Sequence, residues 1–249
     1  MSSRTVLVTG VGRRSGIAFA VARRLLAAGD RIVVSSWAPH DQAQPWGGDD
    51  VAAVLAELGD PPHVPIDLGQ PDAPAELVAR ARAEVGPLST LVAAHARSAD
   101  GELPTVTAAE LDACWAVNAR ASVLLTQAFA AQHEPTAGPG RVLLFTSGQH
   151  QGPMPGELPY ALSKAAVQGI TATLASALAP QGIAVTCLNP GPVDTGWADP
   201  GVHQVVAGRF PSGRWTTPDE TAAVVDWLTG PEGMLVTGQT IDAEAGFRL

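Results

Sequence analysis

Three polar side chains within residues 147–164 have the types and spacing of a proton-transfer site. The stretch SGQHQGPMPGELPYALSK begins with Ser147 and contains Tyr160 and Lys164. Tyr160 and Lys164 are four residues apart at the start of a predicted helix, so their side chains emerge from one face of it. Ser147 follows the apolar run RVLLFT, which is typical of a strand. The alternative is a loop that leads into an ordinary helix.

The chemistry suited to these groups is the reduction of a carbonyl or the reverse oxidation of an alcohol. A ketone that accepts a hydride needs a proton donor, and a phenol with a pKa of about 10 exchanges protons poorly near neutrality. The ammonium group of Lys164 is expected to lower the pKa of Tyr160 and to bind the ribose hydroxyls of a nicotinamide cofactor. Ser147 is expected to hydrogen-bond the substrate oxygen and stabilise its charge.

A glycine-rich turn lies between the first predicted strand and the first predicted helix, in VLVTGVGRRSGIAFAVARRL. Gly10, Gly12 and Gly16, with Ile17 beside them, allow the backbone to approach a pyrophosphate, whose charge the amino end of the helix stabilises. A dinucleotide cofactor is therefore expected. The alternative is a turn that only connects strand to helix, because the spacing departs from G-x-G-x-x-G.

The form of the cofactor depends on the residues near its adenosine ribose. Proteins that prefer NAD usually carry a carboxylate after the second strand, where this chain has Ser36 and Trp37. Arg13 and Arg14 are instead expected to neutralise a 2′-phosphate, so NADP(H) is the preferred cofactor and NAD(H) the alternative. Asp67 is expected to accept a hydrogen bond from the adenine amino group, and a helix N-cap is its competing role.

The elements that must position these residues alternate between short β-branched runs and longer amphipathic runs. Strands are predicted over 5–9, 31–36, 63–66, 90–94, 141–146, 184–188 and 239–243. Helices are predicted over 16–28, 51–58, 73–84, 108–132, 159–178 and 218–228. This alternation predicts an α/β fold, a doubly wound parallel sheet of seven strands with helices on both faces. Ligands bind beyond the carboxyl ends of such strands.

The composition fits one domain, residues 1–249, that acts on a small molecule. The 249 residues, 46% of them hydrophobic, are enough for one large core. A net charge of −9 disfavours nucleic acid and anionic membranes as partners, and no apolar run reaches the roughly 20 residues that span a bilayer. No secretory signal precedes the first strand, so a cytoplasmic location is expected. Cys114 and Cys187 are expected as buried, reduced thiols, and no metal site is predicted.

Several segments together resemble the short-chain dehydrogenase/reductase family over essentially the whole chain. They are TGVGRRSGIA, the Asp67 segment, VNARAS with Asn118, Ser147 with YALSK, NPGPVDT and TGQTIDAEAG. The resemblance implies a single-domain Rossmann fold, with Tyr160 as general acid/base, Lys164 as its electrostatic and ribose-binding partner, and Ser147 orienting the substrate.

Three further roles are implied by the same resemblance. Asn118 matches an asparagine that bends its helix and holds a water linking the lysine to bulk solvent. Thr195 matches the residue that binds the nicotinamide carboxamide, and Pro190 and Gly191 match the residues that shape that turn.

The chain departs from the family pattern T-G-x-x-x-G-x-G and N-N-A-G at two places. The glycine-rich loop has two more residues before Gly16 than the pattern, and Ala18 stands in place of its last glycine. After the fourth strand the chain reads LVAAHARS, which lacks the asparagines that brace the sheet. His95 and Arg97 add polar groups there, and His95 is expected either to contact a polar substrate or to remain a loop or cofactor-contacting residue.

Substrate recognition is assigned to two segments, residues 148–158 and a substrate loop over about 195–215. Candidate pocket residues, each with loop or lid packing as the alternative, are Gln149, His150, Met154, Trp197 and Phe210. A medium-sized, partly apolar ketone is expected. By resemblance, the helices over 108–132 and 159–178 pair two chains, so a homodimer or homotetramer is expected.

Within the family, RFPSGRWTTPDETAAVVDWL and the TGQ ending resemble the β-ketoacyl carrier-protein reductase branch. One alternative is a halohydrin dehalogenase-like lyase, a group that carries arginine where this chain has Lys164. Another is a non-catalytic dinucleotide-binding sensor or scaffold. An enoyl reductase is disfavoured, because that branch spaces its tyrosine and lysine more widely.

Overall fold

The computed structural model describes residues 3–134 and 138–247, and its strands form one parallel sheet. The strands are β1 (Thr5–Thr9), β2 (Arg31–Ser36), β3 (His63–Pro65), β4 (Thr90–Ala93), β5 (Gly140–Phe145), β6 (Ile183–Asn189) and β7 (Thr240–Asp242). Their order is β3-β2-β1-β4-β5-β6-β7, and every neighbouring pair is parallel. The winding reverses between β1 and β4, where sheets of this kind bind ligands.

Helices cover both faces of the sheet. They are α1 (Ile17–Ala27), α2 (Ala38–Gln42), α3 (Val51–Glu57), α4 (Ala73–Val85), α5 (Ala108–Cys114), α6 (Ala121–Gln132), α7 (Leu158–Leu178), α8 (Pro200–Ala207) and α9 (Pro218–Thr229). Leu77 and Phe129 belong to the core between the sheet and α4, α6 and α7. Leu25 and Val225 belong to the core under α1 and α9. The predicted single-domain, doubly wound fold is confirmed.

Burial on both faces explains why the strands are almost continuously apolar rather than alternating. All seven residues of β6 are buried, and five of the six in β2 are.

The helix predicted over 108–132 is interrupted. A π-helical turn, Trp115–Arg120, separates α5 from α6 and contains the buried Asn118. The Ser122 hydroxyl donates to the carbonyl of Asn118 at 2.7 Å, which satisfies one backbone group of the widened turn. π turns are often found at functional sites, because they redirect a side chain without ending the helix.

The other predicted elements end within two residues of the predicted positions, but α2 and α8 are not predicted. Both lie in Pro/Gly-rich segments that the sequence indicates as loops. Helix α8 begins where the Asp199 carboxylate accepts from the backbone N–H groups of Gly201 and Val202 at 2.8 and 3.0 Å, with Pro200 at its first position. That combination favours a helix start even in an otherwise loop-like composition.

Within the described ranges, no helix combines the length and the apolar character that crossing a membrane requires.

Candidate active site

A cleft of about 1100 Å³ opens at the carboxyl edge of the sheet. Its volume exceeds the roughly 300–1,000 Å³ of ordinary small-molecule pockets, so it suits an extended ligand. The predicted site residues that line it are Gly10, Gly12, Arg13, Gly16, Ile17, Ser36, Asp67, His95, Ser147, Met154, Tyr160, Pro190, Gly191, Thr195 and Trp197. The predicted site residues outside its lining are Arg14, Asn118, Gln149, His150, Lys164 and Phe210.

Tyr160 and Lys164 lie in the first two turns of α7, beside the end of β5. Lys164 is 3% exposed, and its Nζ lies 5.7 Å from the centre of the Tyr160 ring. The same Nζ donates to the carbonyl of Phe145 at 3.1 Å. The Thr146 hydroxyl donates to the carbonyl of Lys164 at 2.9 Å and so joins the end of β5 to α7. Lys164 therefore stands beneath the tyrosine rather than in the cleft lining.

Burial dominates the protonation of this pair. It raises the pKa of Tyr160 to about 12, helped by the carboxylate of Glu157, while a hydrogen bond with Ser147 acts in the opposite direction. Burial also lowers the pKa of Lys164 to about 8. The expectation that Lys164 brings the pKa of Tyr160 down is therefore corrected, because the desolvation of the phenolate is the larger effect. Tyr160 keeps its proton at neutral pH.

Asn118 reaches the site through the backbone of the β4–α5 connection. Its Oδ1 accepts from the N–H of Arg97 at 2.7 Å, and its Nδ2 donates to the carbonyl of Arg97 at 2.9 Å. The Nδ2 also donates to the hydroxyl of Ser163, next to Lys164, at 2.8 Å. The side chain thus ties the π-helical turn to the connection after β4 and to α7.

The glycine-rich loop leaves β1 with its backbone close to the end of β4. Gly10 has a φ of +85°, and a Cβ there would lie 2.8 Å from the Cα of His95. Only glycine meets both conditions without strain. The loop then runs along the cleft with Gly12 and Gly16 in its wall. This glycine cradle fits a dinucleotide, because the absence of side chains at Gly10, Gly12 and Gly16 lets a pyrophosphate approach the backbone at the start of α1.

The two arginines of the loop point in different directions. Arg13 lies in the cleft lining, and its Nη2 donates to the carbonyl of Thr195 at 2.7 Å. Arg14 forms an ion pair with Glu57, and its backbone N–H donates to Asp49 at 2.7 Å. The expectation that Arg14 meets a 2′-phosphate is corrected, because its guanidinium is held outside the cleft by these carboxylates.

On the cleft wall near β2 and β3, the side chains of Ser36 and Asp67 already form hydrogen bonds with other residues of the protein. The Ser36 hydroxyl lies 2.9 Å from Nε2 of His63. Asp67 accepts from the N–H of Gly69 at 2.8 Å and from the Gln70 side chain at 3.1 Å. Asp67 therefore closes a tight turn after β3 and is not the N-cap of α4, which is Asp72.

A carboxylate that the sequence does not indicate also lies on this wall. Asp41, on α2, lines the cleft, and its Oδ2 lies 3.0 Å from the position that a Cβ at Gly12 would take. Burial raises the pKa of Asp41, whereas the nearby Arg13 lowers it. Asp41 follows the end of β2 by five residues, and its approach to the glycine-rich loop depends on the short helix that the sequence does not predict.

His95 acts as a brace between elements. Its Nδ1 lies 2.7 Å from the Thr9 hydroxyl and its Nε2 lies 3.0 Å from the carbonyl of Val117. A carbonyl can only accept, so Nε2 carries the proton and Nδ1 accepts from Thr9. Burial lowers the pKa of His95 to about 3, so the ring is neutral. The expectation of a substrate contact is corrected, since both ring nitrogens are engaged with β1 and the π-helical turn.

Two other predicted pocket residues hold the loop after β5. The Gln149 side chain donates to Thr146 at 3.0 Å and to Gln168 at 2.9 Å, and His150 lies 3.0 Å from Asp242. Neither Gln149 nor His150 belongs to the cleft lining, so the expectation that they are pocket residues is corrected. They fix the segment that carries Ser147.

The substrate loop contains α8 and an aromatic cluster. Trp197 and Trp215 meet edge to face with ring centres 5.6 Å apart, and the ring of His203 stacks on Trp215 at 4.9 Å. Phe210 is 3% exposed and packs on Phe247, so it supports the loop. The expectation that Phe210 lines the cleft is corrected. Cleft residues of this region that the sequence does not indicate are Val206, Arg209, Glu244 and Phe247.

Cys114 and Cys187 are buried thiols without a disulfide, and burial raises the pKa of Cys187 to about 11. Across residues 3–134 and 138–247, the structure contains no group of three or more His, Cys, Asp or Glu side chains arranged to hold a metal ion.

Comparison with known proteins identifies the family. A family model described as enoyl-(acyl carrier protein) reductase matches residues 10–248. The uncharacterized oxidoreductase YjdA of Bacillus subtilis (strain 168) is 34% identical over 245 residues, which cover 98% of this chain and 96% of that protein. A short-chain dehydrogenase from Burkholderia cenocepacia J2315 in complex with NADP matches with a TM-score of 0.83 and 30% identity, covering 98% of this chain and 97% of its own. BdcA in complex with NADPH matches with a TM-score of 0.84 and 27% identity, covering 100% and 96%. The chain belongs to the short-chain dehydrogenase/reductase family.

Proposed function

We propose that this protein is an NADP(H)-dependent oxidoreductase that transfers a hydride between nicotinamide and a ketone or secondary alcohol, with Tyr160 as general acid/base. The observation that carries the proposal is the convergence of three groups at the end of β5. The Tyr160 phenol and Ser147 both line the cleft, and the buried ammonium of Lys164 lies beside the phenol ring. Membership in an oxidoreductase family supports it independently.

A reduced nicotinamide, when bound, supplies the hydride. Tyr160, with its pKa raised to about 12, keeps a proton at neutral pH and donates it to the substrate oxygen. The Ser147 hydroxyl donates a hydrogen bond to that oxygen, so the developing negative charge is stabilised before the proton arrives. Lys164, with a pKa of about 8, is mostly charged at pH 7 and stabilises the phenolate that remains. Asn118 is a positioning residue that holds the first turns of α7 through Ser163.

The proposed site for the cofactor follows the length of the cleft. Gly10, Gly12, Gly16 and Ile17 would border the pyrophosphate, and Pro190, Gly191 and Thr195 the nicotinamide. Ser36 and Asp67 would border the adenosine. Two structural relatives carry NADP or NADPH, which favours NADP(H). NAD(H) is the second candidate, because the Asp41 carboxylate on the same wall suits a ribose 2′-hydroxyl better than a 2′-phosphate.

The substrate side of the cleft is mostly apolar. Met154, Trp197, Val206 and Phe247 line it, and Arg209 and Glu244 add charge. This lining favours a medium-sized, partly apolar ketone, as a ketoreductase would take. Reduction of a C=C bond is a second candidate, because the matching family model is described as an enoyl reductase. The four-residue spacing of Tyr160 and Lys164 favours the carbonyl.

Two other functions find less support. A halohydrin dehalogenase-like lyase would carry arginine at position 164, where this chain has lysine. The altered segment after β4 permits a non-catalytic sensor or scaffold. There, His95 supplies hydrogen bonds between β1 and the π-helical turn, so this departure does not signal a decayed site.

The test is a fluorescence titration with NADPH and then NADH, followed by a screen of ketones with the preferred nucleotide. We expect micromolar binding of NADPH, weaker binding of NADH, and turnover of at least one ketone. Tyr160→Phe is the matched variant: it keeps the ring and the packing but lacks the proton. It should bind nucleotide as the wild type does and lose at least about 100-fold in turnover, the contribution typical of general acid catalysis.

Each other outcome has a definite meaning. Binding of neither nucleotide would contradict the proposal and favour the lyase. Binding with no turnover across the screen would favour the sensor or scaffold. Full turnover by Tyr160→Phe would remove Tyr160 from the proton-transfer role, and tighter binding of NADH than of NADPH would assign the Asp41 carboxylate to the ribose.

A further inference from the structure

The lengthened glycine-rich loop contacts the opposite side of the cleft. Arg13 Nη2 donates to the carbonyl of Thr195 at 2.7 Å, and the Ser15 hydroxyl donates to the same oxygen at 3.0 Å. Arg13 Nη2 also donates to the Ser15 hydroxyl at 3.1 Å. Two side chains that follow β1 thus converge on one carbonyl that follows β6. We call this group of Arg13, Ser15 and Thr195 the clasp.

The position of the clasp follows from the order of the strands. In the sheet, β4 and β5 lie between β1 and β6, so the clasp spans the carboxyl ends of the two central strands. Arg13 and Thr195 both line the cleft. A contact between them therefore crosses the cleft instead of running along one wall.

Both ends of the clasp are shaped for the contact. On one side, the guanidinium of Arg13 lies 5.8 Å from the centre of the Trp46 ring, within the range of a cation–π interaction. On the other, Gly196 has a φ of +76°, and a Cβ there would lie 3.6 Å from Arg13 Nη2. Glycine at 196 lets the Thr195 carbonyl turn towards the loop, a conformation that other residues rarely adopt.

We propose that the clasp closes the cleft over a bound dinucleotide and retains NADPH and NADH alike, so that Arg13 acts as a latch and not as the reader of the 2′-phosphate. The inference rests on the proposed function. The Arg13 Nη2 is already engaged by the Thr195 carbonyl and the Ser15 hydroxyl, so this nitrogen is not available to a 2′-phosphate. A hydrogen bond from a charged donor is about twice as strong as a neutral one. The opening of the clasp therefore limits the rate at which the nucleotide dissociates.

The two residues by which this loop exceeds the family pattern lie within GVGRRSG, the stretch that carries the clasp. The added length is therefore what lets Arg13 and Ser15 reach Thr195. The two additional residues of the glycine-rich loop thus have a function in this chain.

The experiment measures nucleotide dissociation by stopped-flow displacement, with fluorescence as the signal. Arg13→Ala should release both NADPH and NADH about tenfold faster, the loss of roughly one charge-assisted hydrogen bond, and should leave the ratio of their affinities unchanged. Ser15→Ala should give a smaller increase for both. The matched control is Arg23→Ala, which makes the same change of charge. It removes an exposed ion pair between Arg23 on α1 and Asp219 on α9. Its rates of nucleotide dissociation should equal those of the wild type.

A second measurement needs no nucleotide. Hydrogen exchange of residues 194–199 should be faster in Arg13→Ala than in the wild type, because the clasp holds that segment. Faster release of NADPH alone would overturn the clasp and assign Arg13 to the 2′-phosphate. Unchanged release of both nucleotides, or unchanged exchange, would also overturn it. Failure of the wild type to bind either nucleotide would instead remove the proposed function, and the clasp with it.

Discussion

Burial sets the protonation of three side chains around the cleft more strongly than neighbouring charges do. It raises the pKa of Tyr160 to about 12, lowers that of Lys164 to about 8 and lowers that of His95 to about 3. The sequence predicts that Tyr160 and Lys164 share a helix face, because four-residue spacing is enough for that. It cannot give the depth of each side chain below the surface, and the depth decides the direction of the pKa of Tyr160.

His95 should make the protein sensitive to acid. Its pKa is lowered in the folded state, so between pH 6.5 and about 3 the unfolded chain binds more protons and the free energy of unfolding falls as the pH falls. The slope from this group approaches about 1.4 kcal/mol per pH unit. His95→Gln, which cannot titrate, should show a shallower loss of stability in urea unfolding between pH 6 and pH 4.

The contribution of His95 to the pH dependence of stability is the difference in slope between the wild type and His95→Gln, since the other titratable groups are present in both proteins. At pH 7, His95→Ala should lose about 2–4 kcal/mol, because it leaves a cavity and removes the hydrogen bonds that the ring makes to Thr9 and to the carbonyl of Val117. Equal pH slopes for the wild type and His95→Gln would show that His95 is not a buried neutral brace.

At the scale of elements, the sequence predicts the sheet and the long helices but not the irregular pieces. Continuous apolar strands and 3.6-residue periodicity indicate the five inner strands and α7, since burial on both faces selects those patterns. The π-helical turn gives no such signal, because its residues remain periodic with the helices on either side. Helix α2 is too short for periodicity, and α8 depends on one cap at Asp199. Both irregular helices line the cleft, so the candidate site is less predictable than the fold.

The start of α9 should be a stability determinant that also supports the cleft. Thr217 and Glu220 form a reciprocal capping box, with the Thr217 hydroxyl accepting at 3.2 Å and the Glu220 carboxylate at 2.9 Å. The adjoining Thr216 carbonyl accepts from the N–H of Asp194 at 2.9 Å, next to Thr195. Thr217→Ala should lower the free energy of unfolding by about 1 kcal/mol and weaken nucleotide binding slightly.

Thr217→Ser is the matched control, because it keeps the capping hydroxyl and should retain the stability of the wild type. Urea unfolding and nucleotide titration measure the two effects. A loss in Thr217→Ser equal to that in Thr217→Ala would assign the effect to the lost methyl group and not to the cap.

At the scale of the whole molecule, the two faces of the sheet differ in what covers them. On the α5–α7 side, a cavity of about 470 Å³ with an almost wholly apolar lining remains open between the π-helical turn, α6 and α7. Trp115 and Leu162 beside it are 48% and 55% exposed. Leu162, Ala166 and Ile170 are spaced by four residues and so share one face of α7. An apolar surface of this kind on two long helices favours pairing with a second copy of the chain.

We therefore predict that the protein forms a homodimer or a homotetramer through this surface. Light scattering on the wild type should give two or four times the mass of one chain. Trp115→Glu and Leu162→Glu should each shift the mass towards one chain, because a carboxylate buried in an apolar interface is costly. Trp227→Glu is the matched control: Trp227 is 49% exposed on α9, on the other face, so at least the dimer should persist. Circular dichroism would establish that the variants fold. A wild type with the mass of one chain, or folded Trp115→Glu and Leu162→Glu variants with the wild-type mass, would contradict pairing through α5–α7.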